Sequence, residues 1–297
     1  MLKTKPLFQK PTVTDVAWAA PILASAGRMG CEYSYAAIYM WRALYGTRMA
    51  KCDDYLLIGV GGDEQSSFLP PIGPSLIDGV ELLREYTAQR GTPLRLHSVG
   101  EDVLEPLLAH YGDRLSATES RNDFDYIYRT ADLAQLPGKV YHSKKNHVSS
   151  FSRKFEWQYE DINDENTEDV IKMAKQWCAE RGTCRDRGLS TEQCAIRELL
   201  HNRDRLSVKG GLIRVDGAVA AFALGSPITD RVFDVHVEKA LSAYPGAYAV
   251  INREFASRLT AYEYLNREDD MGIEGLRKAK LSYHPSVLLK KFICEIR

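Results

Sequence analysis

Apolar positions recur at helical spacing from Cys31 to Tyr45. Tyr35, Ile38, Tyr39, Trp41 and Leu44 run there without Gly or Pro, so the segment is expected to be a helix. Tyr55–Val60 reads as a strand, Gly61-Gly62-Asp63 as a turn and Ser67–Ile72 as a second strand, a hairpin with a long loop. Ser75 and Asp78 have the spacing of a capping box. They open a helix with Leu76, Val80 and Leu83 on one face, closed by Gly91 and Pro93. Leu94–Val99 is then a strand, Glu101–Tyr111 a helix and Phe124–Thr130 a strand with one polar face.

In the second half, Asn166 caps a helix whose Val170, Ile171, Ala174, Trp177 and Cys178 form one stripe ending at Gly182. Ser190 and Gln193 open another helix that runs through Leu200. Leu212–Val215 and Ala218–Leu224, joined by Asp216-Gly217, form a hairpin with a strong turn signal. Arg231–Glu238 is a strand, and Tyr244-Pro245-Gly246 turns the chain into a helix bearing Tyr248, Ile251, Phe255 and Leu259. Ala261–Asn266 is strand-like, Gly272–Tyr283 helical and Val287–Ile296 a closing strand.

Charge divides the chain. Lys139, Lys144, Lys145, Arg153 and Lys154 lie in a stretch without an acid, whereas Glu156 to Asp169 holds seven acids and no base. A boundary is placed there, giving domains 1–156 and 157–297. Both halves share a hairpin, helix and strand order, so the fold class is α/β with mixed sheets. That order matches two tandem domains of the GNAT-like acyl-CoA N-acyltransferase layout, an analogy of fold that does not establish function. The 297 residues are 44% hydrophobic and 27% charged, with 39 bases against 40 acids. A generally basic nucleic-acid coat is thereby excluded, though a local patch is not. No membrane-length apolar run or secretory leader is visible, and six scattered cysteines fit reduced thiols in the cytoplasm.

The chemistry concentrates in Phe233-Asp234-Val235-His236-Val237-Glu238. Strict alternation puts Asp234, His236 and Glu238 on one strand face, where a carboxylate or imidazole could take a proton from an attacking amine. The bland alternative is an edge strand with a wet face. Gly246, Ala247 and Tyr248 begin a helix, a place where unpaired amides can hold a phosphate or a coenzyme A pyrophosphate. The usual Gly-x-Gly loop of GNAT enzymes is absent there. Arg277 and Lys280 are three apart on a helix, so they could hold a phosphate or pair with Glu268 and Asp269. Asn266, Glu268 and Asp269 are candidates for substrate contact. Tyr283 is a candidate general acid or simply a packed aromatic. Lys144 and Lys145 could meet RNA or lipid phosphate, or form a solvated face. Cys178, Cys184, Cys194 and His201 lack structural-zinc spacing, and no metal site is expected.

Several motifs resemble a bacterial family of uncharacterised proteins related to the C-terminal domain of phosphatidylglycerol lysyltransferase. They are Cys31-Glu-Tyr-Ser-Tyr-Ala-Ala-Ile-Tyr-Met-Trp-Arg, Lys144-Lys-Asn-His-Val-Ser-Ser-Phe, His236-Val-Glu-Lys-Ala, Tyr248 to Phe255, and Asn266-Arg-Glu-Asp through Gly275-Leu-Arg-Lys-Ala-Lys. The resemblance implies tandem GNAT-like domains and transfer of an aminoacyl group from charged tRNA. Aminoacyl-tRNA or acyl-CoA would be a co-substrate, with no tightly bound cofactor. The acceptor would be a small molecule, a peptide or a lipid headgroup, presenting an amine or hydroxyl. A coenzyme-A-dependent N-acetyltransferase and a non-catalytic binding module are the rival readings.

Overall fold

The computed structural model describes residues 6–62, 67–181 and 187–297. Asp63 of the expected turn, Gly182 and Cys184 lie outside them. The chain opens with α1 (Val16–Ser25), which the sequence pattern conceals because Pro21 sits inside it. The helix expected from Cys31 starts later. Cys31–Tyr33 is a single tight turn, and Ser34, whose Oγ accepts from the Ala37 N–H, caps α2 (Tyr35–Trp41).

Six strands build the first sheet. β1 (Arg48–Cys52) and β2 (Tyr55–Val60) form a hairpin, and β3 (Ser67–Phe68) pairs beside β2. Next come α3 (Leu76–Ala88), capped by Ser75, then β4 (Leu94–Val99), α4 (Glu101–Tyr111) and β5 (Leu115–Glu119). The chain now changes sheet. β6 (Asp125–Arg129), α5 (Thr130–Gln135), the basic α6 (His142–Lys154) and β7 (Trp157–Asp161) follow. α7 (Thr167–Glu180) and α8 (Arg187–His201) precede the long strands β8 (Lys209–Val215), β9 (Ala218–Pro227) and β10 (Val232–Ala240). The chain ends with α9 (Ala247–Ser257), β11 (Tyr264–Asn266), α10 (Glu274–Leu281), β12 (Val287–Leu289) and β13 (Phe292–Ile296).

The first sheet has the order β1-β2-β3-β4-β13-β5 and the second β12-β6-β11-β10-β9-β8-β7. The expected closing strand is therefore two strands. Lys290 and Lys291 break it, and its second part crosses to pair with β4 and β5. Likewise β6 joins the second sheet beside β11. The change of sheet falls between β5 and β6, not at the charge switch near residue 156. The acidic run there includes edge strand β7, paired antiparallel with β8 from Trp157 opposite Val215 to Asp161 opposite Gly211. One apolar core lies where the two sheets meet α1, α2, α7 and α8, and includes Leu23, Tyr35, Leu56, Ile171 and Phe222. A second lies under α5, α6 and α9, and a third under α3 and α4.

Candidate functional site

β10 and β11 run parallel only over Val232–Asp234 against Tyr264–Asn266. β11 then ends while β10 continues to Ala240, so the two strands part. The crevice beyond the carboxyl ends of parallel strands is where such sheets offer room for a ligand. The side chains at the parting are polar: Asp234 and His236 from β10, Asn266 from β11 and Glu268 from the loop behind it.

The local backbone is irregular in a way that alternation cannot foresee. β10 carries a β-bulge: Val235 faces Gly225 and Val237 faces Leu224, leaving His236 as the extra residue. Opposite, a Cβ on Gly225 would lie 2.2 Å from the Asp234 carbonyl oxygen, so glycine is required there. The bulge also reverses the strand's phase. Asp234 and His236 meet each other, but Glu238 turns to the opposite face, where Asn252 of α9 and Arg267 donate to its carboxylate at 3.1 and 3.0 Å. The expectation that all three ionisable groups share a face is corrected for Glu238.

His236 Nδ1 lies 3.1 Å from Glu268 Oε1, in hydrogen-bond geometry, and 3.2 Å from Asp234 Oδ2 at ion-pair distance. Its Nε2 lies 2.8 Å from Ser226 Oγ, which bonds in turn to Ser34 Oγ at 2.9 Å. Asp234 and Ser34 are fully buried, and Ser226 and His236 nearly so. Glu268 is the member of the group that keeps some solvent contact, with 21% of its side chain exposed. Burial opposes charge on His236, but Asp234 and Glu268 outweigh it and push the imidazole up to about 10. Burial, reinforced by the Asp234 charge, raises Glu268 to about 7. Burial likewise lifts Asp269 to about 6, with Glu268 adding to the effect.

Asn266 joins this group to a second one. Its side-chain amide donates to the Met29 carbonyl and to Asp125, and its Oδ1 accepts from the Glu268 N–H. That bond holds Glu268 at φ +56°, a left-handed conformation uncommon for a non-glycine residue. Asp125 and Glu32 receive Lys291 Nζ at 2.8 and 2.7 Å, and Cys31 Sγ lies 3.6 Å from the same nitrogen. A cavity of about 320 Å³ reaches this end, lined by Arg28, Glu32, Tyr33, Asp102 and Lys291 among others. Its lining does not include Glu268 or Asp234. Cys31, Glu32 and Ser34 fall in the motif that opens the family resemblance, whereas Ser226, Asp125 and Lys291 are not singled out in the sequence.

The remaining expected residues have other work. Arg277 pairs with Asp270 rather than Glu268 or Asp269, donating through Nε at 2.8 Å and Nη2 at 2.9 Å. Lys280 Nζ donates to the carbonyls of Arg267 and Asp269. Both cations therefore clamp the loop that presents Glu268. Gly246 takes φ +98°, and the His147 carbonyl of α6 sits 2.9 Å from where its Cβ would be. The N–H groups of Ala247, Ala249 and Val250 are bonded to the carbonyls of Tyr244 and Gly246. That helix start is thus covered by α6 and largely satisfied. Tyr248 points to α7 and accepts from Trp177 Nε1 at 3.0 Å. Tyr283 is buried, with Lys144 4.0 Å and Arg267 4.9 Å from its ring centre. Lys144 also donates to Ser282, while Lys145 is exposed on α6.

A model of the C-terminal part of phosphatidylglycerol lysyltransferase matches residues 24–295, nearly the whole chain. The chain belongs to that family. A conserved protein of unknown function from Bacteroides thetaiotaomicron is 34% identical, covers all of both chains and superposes with a TM-score of 0.93. The C-terminal domain of a putative lysylphosphatidylglycerol synthetase from Agrobacterium fabrum is 15% identical over 95% of this chain and 91% of that one, with a TM-score of 0.68. The L-PGS of Bacillus licheniformis is 13% identical over 84% of each chain, at 0.62. FemX, at 0.58, and a tandem GNAT protein from the clavulanic acid pathway, at 0.51, share the fold. An uncharacterised protein of Mycoplasmoides gallisepticum is 21% identical over 58% of this chain, which spans 56% of that protein's length. Membership of the phosphatidylglycerol lysyltransferase C-terminal family points to a transferase. Among the described residues no helix is long and apolar enough to cross a membrane.

Proposed function

We propose that this chain is a cytoplasmic aminoacyltransferase that moves an aminoacyl group from charged tRNA to an amine acceptor. The observation that carries the reading is the partly exposed Glu268 carboxylate, backed by His236 and Asp234, where two parallel strands part. The acceptor amine attacks the ester carbonyl of the donor, and the tRNA hydroxyl leaves. Glu268 takes the amine proton; a carboxylate raised to about 7 is matched to that task at neutral pH. His236 and Asp234 hold Glu268 in place. With Asp269 beside Glu268, the surroundings of that carboxylate are acidic and suit a cationic acceptor. The exposed Lys145, Arg153 and Lys154 on α6 offer cations for the tRNA backbone.

Coenzyme A as donor has less support, because the α9 start is covered and its amides are bonded within the chain. Incubating the protein with radiolabelled aminoacyl-tRNA and a panel of amines tests the proposal, with acetyl-coenzyme A in parallel. Glu268→Gln is expected to lower transfer about 10²- to 10⁴-fold at unchanged tRNA binding. Transfer from acetyl-coenzyme A alone would replace the donor. An unaffected Glu268→Gln chain would remove the catalytic assignment.

A further inference from the structure

Asp234 is a fully buried carboxylate, and among the described residues neither of its oxygens meets hydrogen-bond geometry with a donor. The cationic group beside it is His236, whose Nδ1 lies 3.2 Å away and is shared with Glu268 at 3.1 Å. One imidazolium between two carboxylates leaves a negative charge uncompensated in a largely buried place, and a buried charge calls for a proton or a cation. The surroundings favour a cation. One donor atom each from Asp234, His236 and Glu268 lie within 4.8 Å of one another. The Nδ1 nitrogen stands 3.2 and 3.1 Å from the two carboxylate oxygens. Donors bound to one zinc-sized ion at about 2.0–2.2 Å sit at roughly that separation from each other.

We propose that Asp234, His236 and Glu268 bind a divalent transition-metal cation. His236 would ligate through Nδ1 once that nitrogen gives up its proton. Its Nε2–H would donate to Ser226 Oγ at 2.8 Å, and the Ser226 hydroxyl would donate in turn to Ser34 Oγ at 2.9 Å. A ligating imidazole whose other nitrogen is fixed by an acceptor is the usual way such a ring is oriented. The bulge at His236 and the glycine opposite it are the backbone means of bringing the ring to both carboxylates. One imidazole with two carboxylates suits zinc, manganese or ferrous ion better than calcium or magnesium. Three protein ligands leave a position free, and the partial exposure of Glu268 puts that position toward solvent. The inference rests on the acyl-transfer reading only for calling this place the catalytic centre; Glu268 would ligate through Oε1, leaving Oε2 to take the amine proton.

The experiment titrates chelator-stripped full-length protein with zinc and with manganese by calorimetry, and counts bound metal by elemental analysis. Cobalt absorption reports the ligand set. One ion per chain is expected, with proton release on binding and a raised melting temperature. Ser226→Ala, which keeps all three ligands, is expected to weaken binding about 10- to 100-fold. His236→Ala and Asp234→Asn should abolish it. Cys31→Ser should leave it intact, because Cys31, Glu32 and Asp125 form a separate group already engaged by Lys291. Absence of bound metal in the wild-type chain overturns the proposal, as does binding lost in Cys31→Ser but kept in His236→Ala. Failed metal binding in a chain that still transfers aminoacyl groups removes the cation alone. Stoichiometric metal in a chain that transfers nothing upholds the cation and removes the transferase reading.

Discussion

Asp270 shows at the scale of one residue how the site loop is held. Its carboxylate is fully buried and receives two bonds from Arg277, one from Arg121 at 3.2 Å, one from the Gly272 N–H and one from the Tyr126 hydroxyl. Burial works against the charge, but these donors, Arg277 foremost, hold the carboxyl well below its ordinary range. A depressed folded-state value adds stability that is present at neutral pH and lost as pH falls through the carboxylate range. Asp270→Asn is expected to cost ~2–3 kcal/mol in urea unfolding at pH 7 and to flatten the acid limb of stability. An unchanged acid limb would show that the pairing contributes nothing. Asp234 is the opposite case: its burial raises its carboxyl, and the shared His236 imidazole at 3.2 Å only partly offsets this. In the sequence both acids stand near other ionisable residues, and only their partners in the fold tell them apart.

Among the elements, β10 matters most. A charged strand flanked by a hairpin on one side and a strand–turn–helix on the other was visible as an unusual segment, and two of its three ionisable residues do meet. Glu238 does not, because one extra residue moves everything after it to the other face. No local signal marks a bulge in β10; its mark is Gly225 on the neighbouring strand. Gly225→Ala is expected to lower stability by ~1–3 kcal/mol, because the new methyl meets backbone that cannot rotate away. It should also abolish transfer by displacing His236. A fully active and stable Gly225→Ala chain would mean that the strand accommodates a regular ladder. The loop after β11 is equally visible as a charged stretch, and Arg277 and Lys280 bind that loop itself.

For the whole molecule, the decisive feature is the crossing of β13 into the first sheet. It pairs with β4 and β5 on either side, and the crossing carries Lys291 into contact with Asp125 and Glu32. Ending the chain after Leu289 is expected to expose the edges of β4 and β5 and to strand the buried Asp125 and part-buried Glu32 carboxylates. Hydrogen exchange should then show lost protection in β4, although it lies nearly two hundred residues earlier. Retained protection would show that the first sheet closes without its last strand. From the sequence alone came the helices and strands with clean periodicity, the mixed α/β class, the family resemblance and the charged segments holding Asp234, His236, Asn266, Glu268 and Asp269. Those follow from local rules: alternation, helical spacing, capping and turn chemistry act within a few residues. Tertiary structure alone decided which sheet β6 and β13 join, where Glu238 points, and that Ser34, Ser226, Asp125 and Lys291 complete the site. Ser34 and Ser226 are 192 residues apart and Asp125 and Lys291 166, and no local pattern records a partner at that distance.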